Sequence, residues 1–136
     1  MTQRYLCSMG ANIAPEKNFE RAQQRVAQLG SVHFSSARYT QPVAIVTEHD
    51  FLNALFIIEC ELTAEQLKER FNSIEEQLGR DRSDPLSSEK DRPMDIDILG
   101  ELSAESARQA WQEVPSYLAE MAHELKSNLS HEELIA

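Results

Sequence analysis

The sequence predicts an α/β chain of the α+β kind, a ferredoxin-like βαββαβ order with a C-terminal helical extension. Three observations carry this. Short apolar runs at 4–9, 51–62 and 94–100 have the length and composition of strands. Two stretches, 15–30 and 63–79, repeat apolar residues three and four apart, the period of an amphipathic helix. Residues 31–40 alternate instead, as a half-buried strand does. With 136 residues and 41% hydrophobic composition, the chain is expected to form one domain, 1–136, with its core over 4–100 and a helical tail over 101–136.

Each element has a local reason. "RYLCSM" is closed by Gly10. Pro15 suits the first turn of the next helix, Gly30 suits its C-terminal cap, and Phe19, Ala22, Val26 and Leu29 make its apolar face. In "SVHFSSARYT", Val32, Phe34 and Ser36 share one face while His33 and Ser35 share the other. Pro42 and the polar residues after it mark a loop. "FLNALFIIECEL" is apolar throughout, as expected of a central strand. Thr63 and Gln66 form a capping-box pattern; Leu67, Phe71, Ile74 and Leu78 form the buried stripe, and Gly79 ends the helix. Residues 80–93 are charged and carry Pro, Asp and Ser, which predicts a long mobile loop before the strand "MDIDILG". The tail is helix-compatible and interrupted at Pro115. Four strands with helices on one face can bury a core in a chain of this size.

Bulk composition narrows the function. A formal net charge of −10 argues against a nucleic-acid binder, while leaving room for an anion in a local basic pocket. No apolar run reaches the length of a membrane span. "MTQRYLCSMG" lacks the features of a secretory signal. Cys7 and Cys60 lie in apolar runs without CxxC spacing, so buried reduced thiols in a cytoplasmic protein are expected. His33, His49, His123 and His131 have no ligand spacing, and Trp111 is expected to pack a tail helix.

The unusual stretch is "RPMDIDILG", 92–100. Alternation puts Asp95 and Asp97 on one face and Ile96 and Ile98 on the other. Two adjacent carboxylates stay ionised only with water, a cation or a metal beside them. Alone, the pair reads as solvated charge on an edge strand. Arg80, Arg82 and Arg92 nearby change that, although each singly reads as a surface ion pair. Carboxylates that hold Mg²⁺ and arginines that take phosphate oxygens are the parts of a metal–polyphosphate site.

Five motifs occur in order: "MGANI" at 9–13, "FSSARYTQP" at 34–42, "DFLNALFIIE" at 50–59, "IEEQLGR" at 74–80 and "RPMDIDILG" at 92–100. Over roughly residues 4 to 100 the chain resembles the 6-hydroxymethyl-7,8-dihydropterin pyrophosphokinases, folate-pathway enzymes that transfer pyrophosphate from ATP to a pterin alcohol. The resemblance implies that Asp95 and Asp97 hold two Mg²⁺ ions on ATP. It implies that Arg80, Arg82 and Arg92 serve the triphosphate and reacting centre, and that Glu75, Ile98 and Tyr117 lie at the nucleotide. Thr40, Pro42 and Val43 would border the pterin, Phe51 would form an aromatic wall, and the Asn53 amide would read the pterin edge. Phe51 by itself reads as core, whereas a buried Asn53 must find a partner.

The sequence also departs from the family. No aromatic residue stands between Arg80 and Arg92, where a tryptophan is usual. Ser116 stands where a nucleotide-contacting histidine is usual, and a shortened member is expected because the chain closes at residue 136. The expected function is Mg²⁺-dependent pyrophosphoryl transfer by a monomer, with a dimer as the alternative and slow turnover foreseen. A degenerate relative that binds pterin or nucleotide without turnover is the second reading. An interaction domain without a small ligand is the third.

Overall fold

The computed structural model describes residues 2–40, 50–80 and 93–129. The loops expected at 41–50 and 80–93 lie, apart from their ends, outside the described residues. The elements run β1 (Gln3–Ala11), α1 (Pro15–Ala27), β2 (Ser31–Phe34), β3 (Arg38–Thr40), β4 (Phe51–Cys60), α2 (Ala64–Gln77), β5 (Asp95–Glu101), α3 (Ala107–Gln112), a 3₁₀ turn (Ser116–Leu118) and α4 (Ala119–Asn128). The expected order of strand, helix, strand, strand, helix, strand is present, with the second strand broken into β2 and β3.

The described strands form one sheet in the order β2–β4–β1–β5, with β3 also on β4, and every pairing is antiparallel. On one face, Tyr5, Cys7, Met9, Phe56 and Ile58 pack against Phe19 and Val26 of α1 and Leu67 and Phe71 of α2. Phe56 and Phe71 meet edge to face, ring centres 5.9 Å apart. On the other face, Leu6, Leu55 and Ile57 pack under Leu102, Ala110, Leu118, Met121 and Leu125. The tail thus covers the second face of the sheet, where helices on one face only were expected. This explains why "FLNALFII" is apolar at nearly every position: β4 is buried on both sides.

Three local readings need correction. Ser31–Thr40 is not one strand, because Phe34 pairs with Phe56 and Arg38 with Asn53, so four steps face three. The extra residue is accommodated at Ser35. Its N–H donates to the Leu55 carbonyl at 2.9 Å, and its hydroxyl, in place of a carbonyl, accepts from the Leu55 N–H at 2.9 Å. Past this bulge the alternation shifts: Ser35 is buried, and Ser36 turns outward to donate from N–H and hydroxyl to Glu124 of α4. Arg38 reaches the same helix through Glu120 at 2.8 Å, so β3 and α4 are fastened together. Gly30 is not a left-handed cap. A Cβ there would sit 2.2 Å from the Glu59 carbonyl oxygen, so close approach to β4 is what requires glycine.

Other readings stand. Thr63 and Gln66 exchange both hydrogen bonds of a capping box. Cys7 and Cys60 are buried and free, and burial pushes the Cys7 thiol well above its usual range. Trp111 packs among the tail helices beneath Lys126, whose Nζ lies 4.7 Å from the ring centre. Among the described residues no helix is long and apolar enough to cross a membrane.

Candidate active site

Among the described strands, β5 lies at the end of the sheet, with β1 on one side only. Its outward amides need other partners. Glu75 of α2 supplies one: buried to 1% exposure, its Oε2 accepts the Ile96 N–H at 2.7 Å. The same helix delivers Arg80. Helix α2 is closed just past its end by Gly79, whose φ of 105° is a conformation that suits glycine. The Gly79 N–H donates to the Glu76 carbonyl and the Arg80 N–H to the Glu75 carbonyl, both at 3.0 Å, as in a Schellman closure. That turn sends Arg80 back across the strand edge. Its Nη1 lies 2.8 Å from Asp95 Oδ1 and 3.4 Å from Glu75 Oε1, and donates to the Met94 carbonyl at 3.4 Å. Glu75, Arg80 and Asp95 therefore form one chain of charge wrapped round the edge.

Asp95 pairs with Gly10 and Asp97 with Ser8, on the face opposite α1 and α2. Ile96 and Ile98 point the other way and pack into the α1–α2 core, as alternation predicts. Asp97 has one side in solvent, yet its carboxyl is held above the usual carboxylate range. Desolvation is the largest cause, then the charge of Asp95; Lys68 and Arg80 oppose the rise. The two carboxyls are close enough to share a hydrogen bond.

These groups fit a hard cation carrying phosphate. The donors are two carboxylates side by side, and among the described residues no third His, Cys, Asp or Glu completes a protein cage. Mg²⁺ commonly takes one or two carboxylates and fills its remaining positions with water and phosphate. Arg80 adds a phosphate donor: its buried Nε has no hydrogen-bond partner among the described residues.

One strand further in, Gly10 of β1 also pairs with Asn53 of β4, and Asn53 with Arg38. A row therefore runs Asp95, Gly10, Asn53. At two strand spacings, Asp95 and Asn53 stand about 10 Å apart along the backbone. Along this row of described residues no side chain rises between them, because Gly10 has none. A Cβ there would lie 2.7 Å from Asn53 Oδ1. The Asn53 amide is 7% exposed and donates to the Thr40 hydroxyl and to the Phe51 carbonyl, the latter at 3.3 Å. Thr40 pairs directly with Phe51. Thr40, Phe51 and Asn53 thus gather on one side of a shallow floor, and Asp95, Asp97 and Arg80 on the other.

The remaining expected residues are placed less directly. Ile98 turns its side chain away from the carboxylates, but its backbone is in step with that of Ile96 and faces the open edge of β5. Tyr117 sits on the 3₁₀ turn, 45% exposed, in the layer covering the carboxylate face. Pro42, Val43, Arg82 and Arg92 lie outside the described residues. Gly10, expected to close the first strand, instead lies inside β1, which runs on to Ala11; Ser8 and Lys68 were not singled out from the sequence. A glycine inside an apolar strand was the available signal for Gly10, since it marks a close approach. Lys68 acts across elements and left no local signal.

A family profile described as 7,8-dihydro-6-hydroxymethylpterin-pyrophosphokinase matches residues 6–121. Two curated relatives, each a 2-amino-4-hydroxy-6-hydroxymethyldihydropteridine pyrophosphokinase from a strain of Porphyromonas gingivalis, are 32% identical over 97 residues. That alignment covers 68% of this chain and 65% of theirs, so the chain spans about two thirds of the length of the relatives it matches. The profile takes in every element that builds the floor and its edge, from β1 to the first turn of α4. On that extent of agreement, the chain belongs to the 7,8-dihydro-6-hydroxymethylpterin-pyrophosphokinase family.

Proposed function

We propose that the chain transfers pyrophosphate from ATP to 6-hydroxymethyl-7,8-dihydropterin in folate biosynthesis, as a Mg²⁺-dependent, cytoplasmic, monomeric enzyme. The observation that carries this reading is the row from Asp95 through Gly10 to Asn53, which sets a phosphate-handling edge beside an amide across a flat gap. The pterin hydroxymethyl oxygen attacks the β-phosphorus of ATP, and the bond to the α–β bridging oxygen breaks to release AMP. Asp95 and Asp97 would hold two Mg²⁺ ions, which when bound neutralise and align the phosphates. Arg80, with Arg82 and Arg92, stabilises charge on the transferred group. The Asn53 amide, oriented by Thr40, reads the pterin edge; Phe51, Pro42 and Val43 wall it. Ile98 offers its main chain to the nucleotide, and Tyr117 its ring. Glu75 is a positioning residue that sets Arg80 and strand β5.

The decisive assay is AMP release from ATP with the pterin alcohol and Mg²⁺, compared with an Asp95→Ala, Asp97→Ala double variant. Turnover is expected in the wild type, with a loss on the order of a hundredfold or more in the variant. Pterin binding without AMP release would favour the non-catalytic reading, motivated by Ser116 and by the missing aromatic between Arg80 and Arg92. Gly10→Ala gives a separate check on the amide. The added methyl displaces the end of a side chain rather than backbone, so the fold is retained while Asn53 turns. KM for the pterin is expected to rise with kcat changed less; an unchanged KM would remove Asn53 from pterin recognition.

A further inference from the structure

On the other side of the sheet, α1 and α2 enclose a groove of about 510 Å³. That is the size of a small-ligand site. Arg21 and Arg25, one helical turn apart on α1, line one wall; Arg70, Ser73 and Gln77 line the other. Leu29 and Ile74 also line it. The chain has 23 Asp and Glu against 13 Lys and Arg, yet among the described residues no carboxylate lines this groove while three arginines do. These arginines form no ion pair among the described residues; Arg25 donates only to the Arg21 carbonyl, at 3.4 Å. Arg4 pairs with Glu59, Arg38 with Glu120 and Glu124, and Arg80 with Glu75 and Asp95, whereas Lys17, Lys68 and Arg108, like the groove arginines, form no ion pair among the described residues but stand outside any such cluster. Three guanidiniums facing one groove without a carboxylate make a local positive patch on an acidic molecule, and such a patch attracts a small anion.

We propose that this groove binds a small polyphosphate anion, at a site separate from the carboxylate edge. Guanidinium forks pair with phosphate oxygens two at a time, and the Ser73 hydroxyl and Gln77 amide supply further donors. The site lies on the α1–α2 face, whereas Asp95 and Asp97 lie on the opposite one, so the inference does not depend on the activity proposed above.

The test is a titration of the full chain with inorganic triphosphate, without Mg²⁺ and with a chelator present, followed by amide chemical shifts and calorimetry. Shifts are expected on α1 and α2 between residues 21–28 and 70–77, and binding should weaken as salt rises. An Arg21→Gln, Arg25→Gln, Arg70→Gln variant is expected to bind about tenfold or more weakly, with Arg70→Gln alone showing part of the loss. Glutamine keeps helix propensity, and circular dichroism verifies the fold. Shifts confined to β5, no binding, or affinity unchanged in both variants would overturn the proposal.

Discussion

Arg80→Ala is expected to destabilise the protein by about 3–5 kcal/mol, read as a lowered urea midpoint at unchanged slope. The reason is Glu75. Its carboxylate is buried at 1% exposure, with Arg80 Nη1 3.4 Å away as its cation. Removing the guanidinium takes a cation from the buried Glu75 carboxylate, which accepts from the Ile96 N–H, and takes the 2.8 Å ion-pair contact from Asp95. Three carboxylates then crowd one strand edge. A second substitution separates these causes. Glu75→Gln in the Arg80→Ala background keeps an oxygen to accept from Ile96 but removes the charge, so it should recover a large part of the loss. A loss below about 1 kcal/mol for Arg80→Ala would mean that the pair is solvated like an ordinary surface bridge.

Asp97→Asn is expected to act in opposite directions on stability and on activity. In the metal-free protein it should raise Tm at neutral pH while AMP formation falls on the order of a hundredfold or more. Desolvation and the neighbouring Asp95 hold the Asp97 carboxyl above its usual range. The folded chain therefore binds this proton more tightly than the unfolded chain does. Its contribution favours folding at low pH and is lost as pH rises through the folded value. The advantage of Asp97→Asn should accordingly shrink as pH falls through the carboxylate range. Thermal melts at several pH values, with and without Mg²⁺, provide the check. A lower Tm in the variant at neutral pH would show that Asp97 is held comfortably as an anion by Lys68 and Arg80.

Much of this arrangement could be read from residue order alone, where the responsible forces are local. The shared face of Asp95 and Asp97 follows from strand alternation, and Thr63 with Gln66 marks a helix start through bonds three residues apart. The continuous apolar run of β4 announced its central place. What escaped depends on partners distant in sequence. Ser35 replaces a carbonyl only because Leu55 lies beside it, and Gly30 is required only because the Glu59 carbonyl presses on it. Glu75 was expected near the nucleotide by resemblance, and the fold adds a hydrogen bond that its position did not announce, 21 residues along the chain at Ile96. Spacing does not reveal a carboxylate that reaches round a sheet edge. The covering of the second face by the tail was likewise hidden, since helix-compatible residues do not state which surface they will meet.

The contacts of Arg80 with the Met94 carbonyl and Asp95 span 14 and 15 residues of sequence. They clasp the end of α2 to the start of β5. Closing any span of chain costs an entropy that grows only logarithmically with its length, about 0.6 kcal/mol per doubling, so a charged contact of this kind can hold partners well separated in sequence. The edge of β5 is therefore anchored by Arg80 itself, at the end of α2, rather than by its neighbours along the chain.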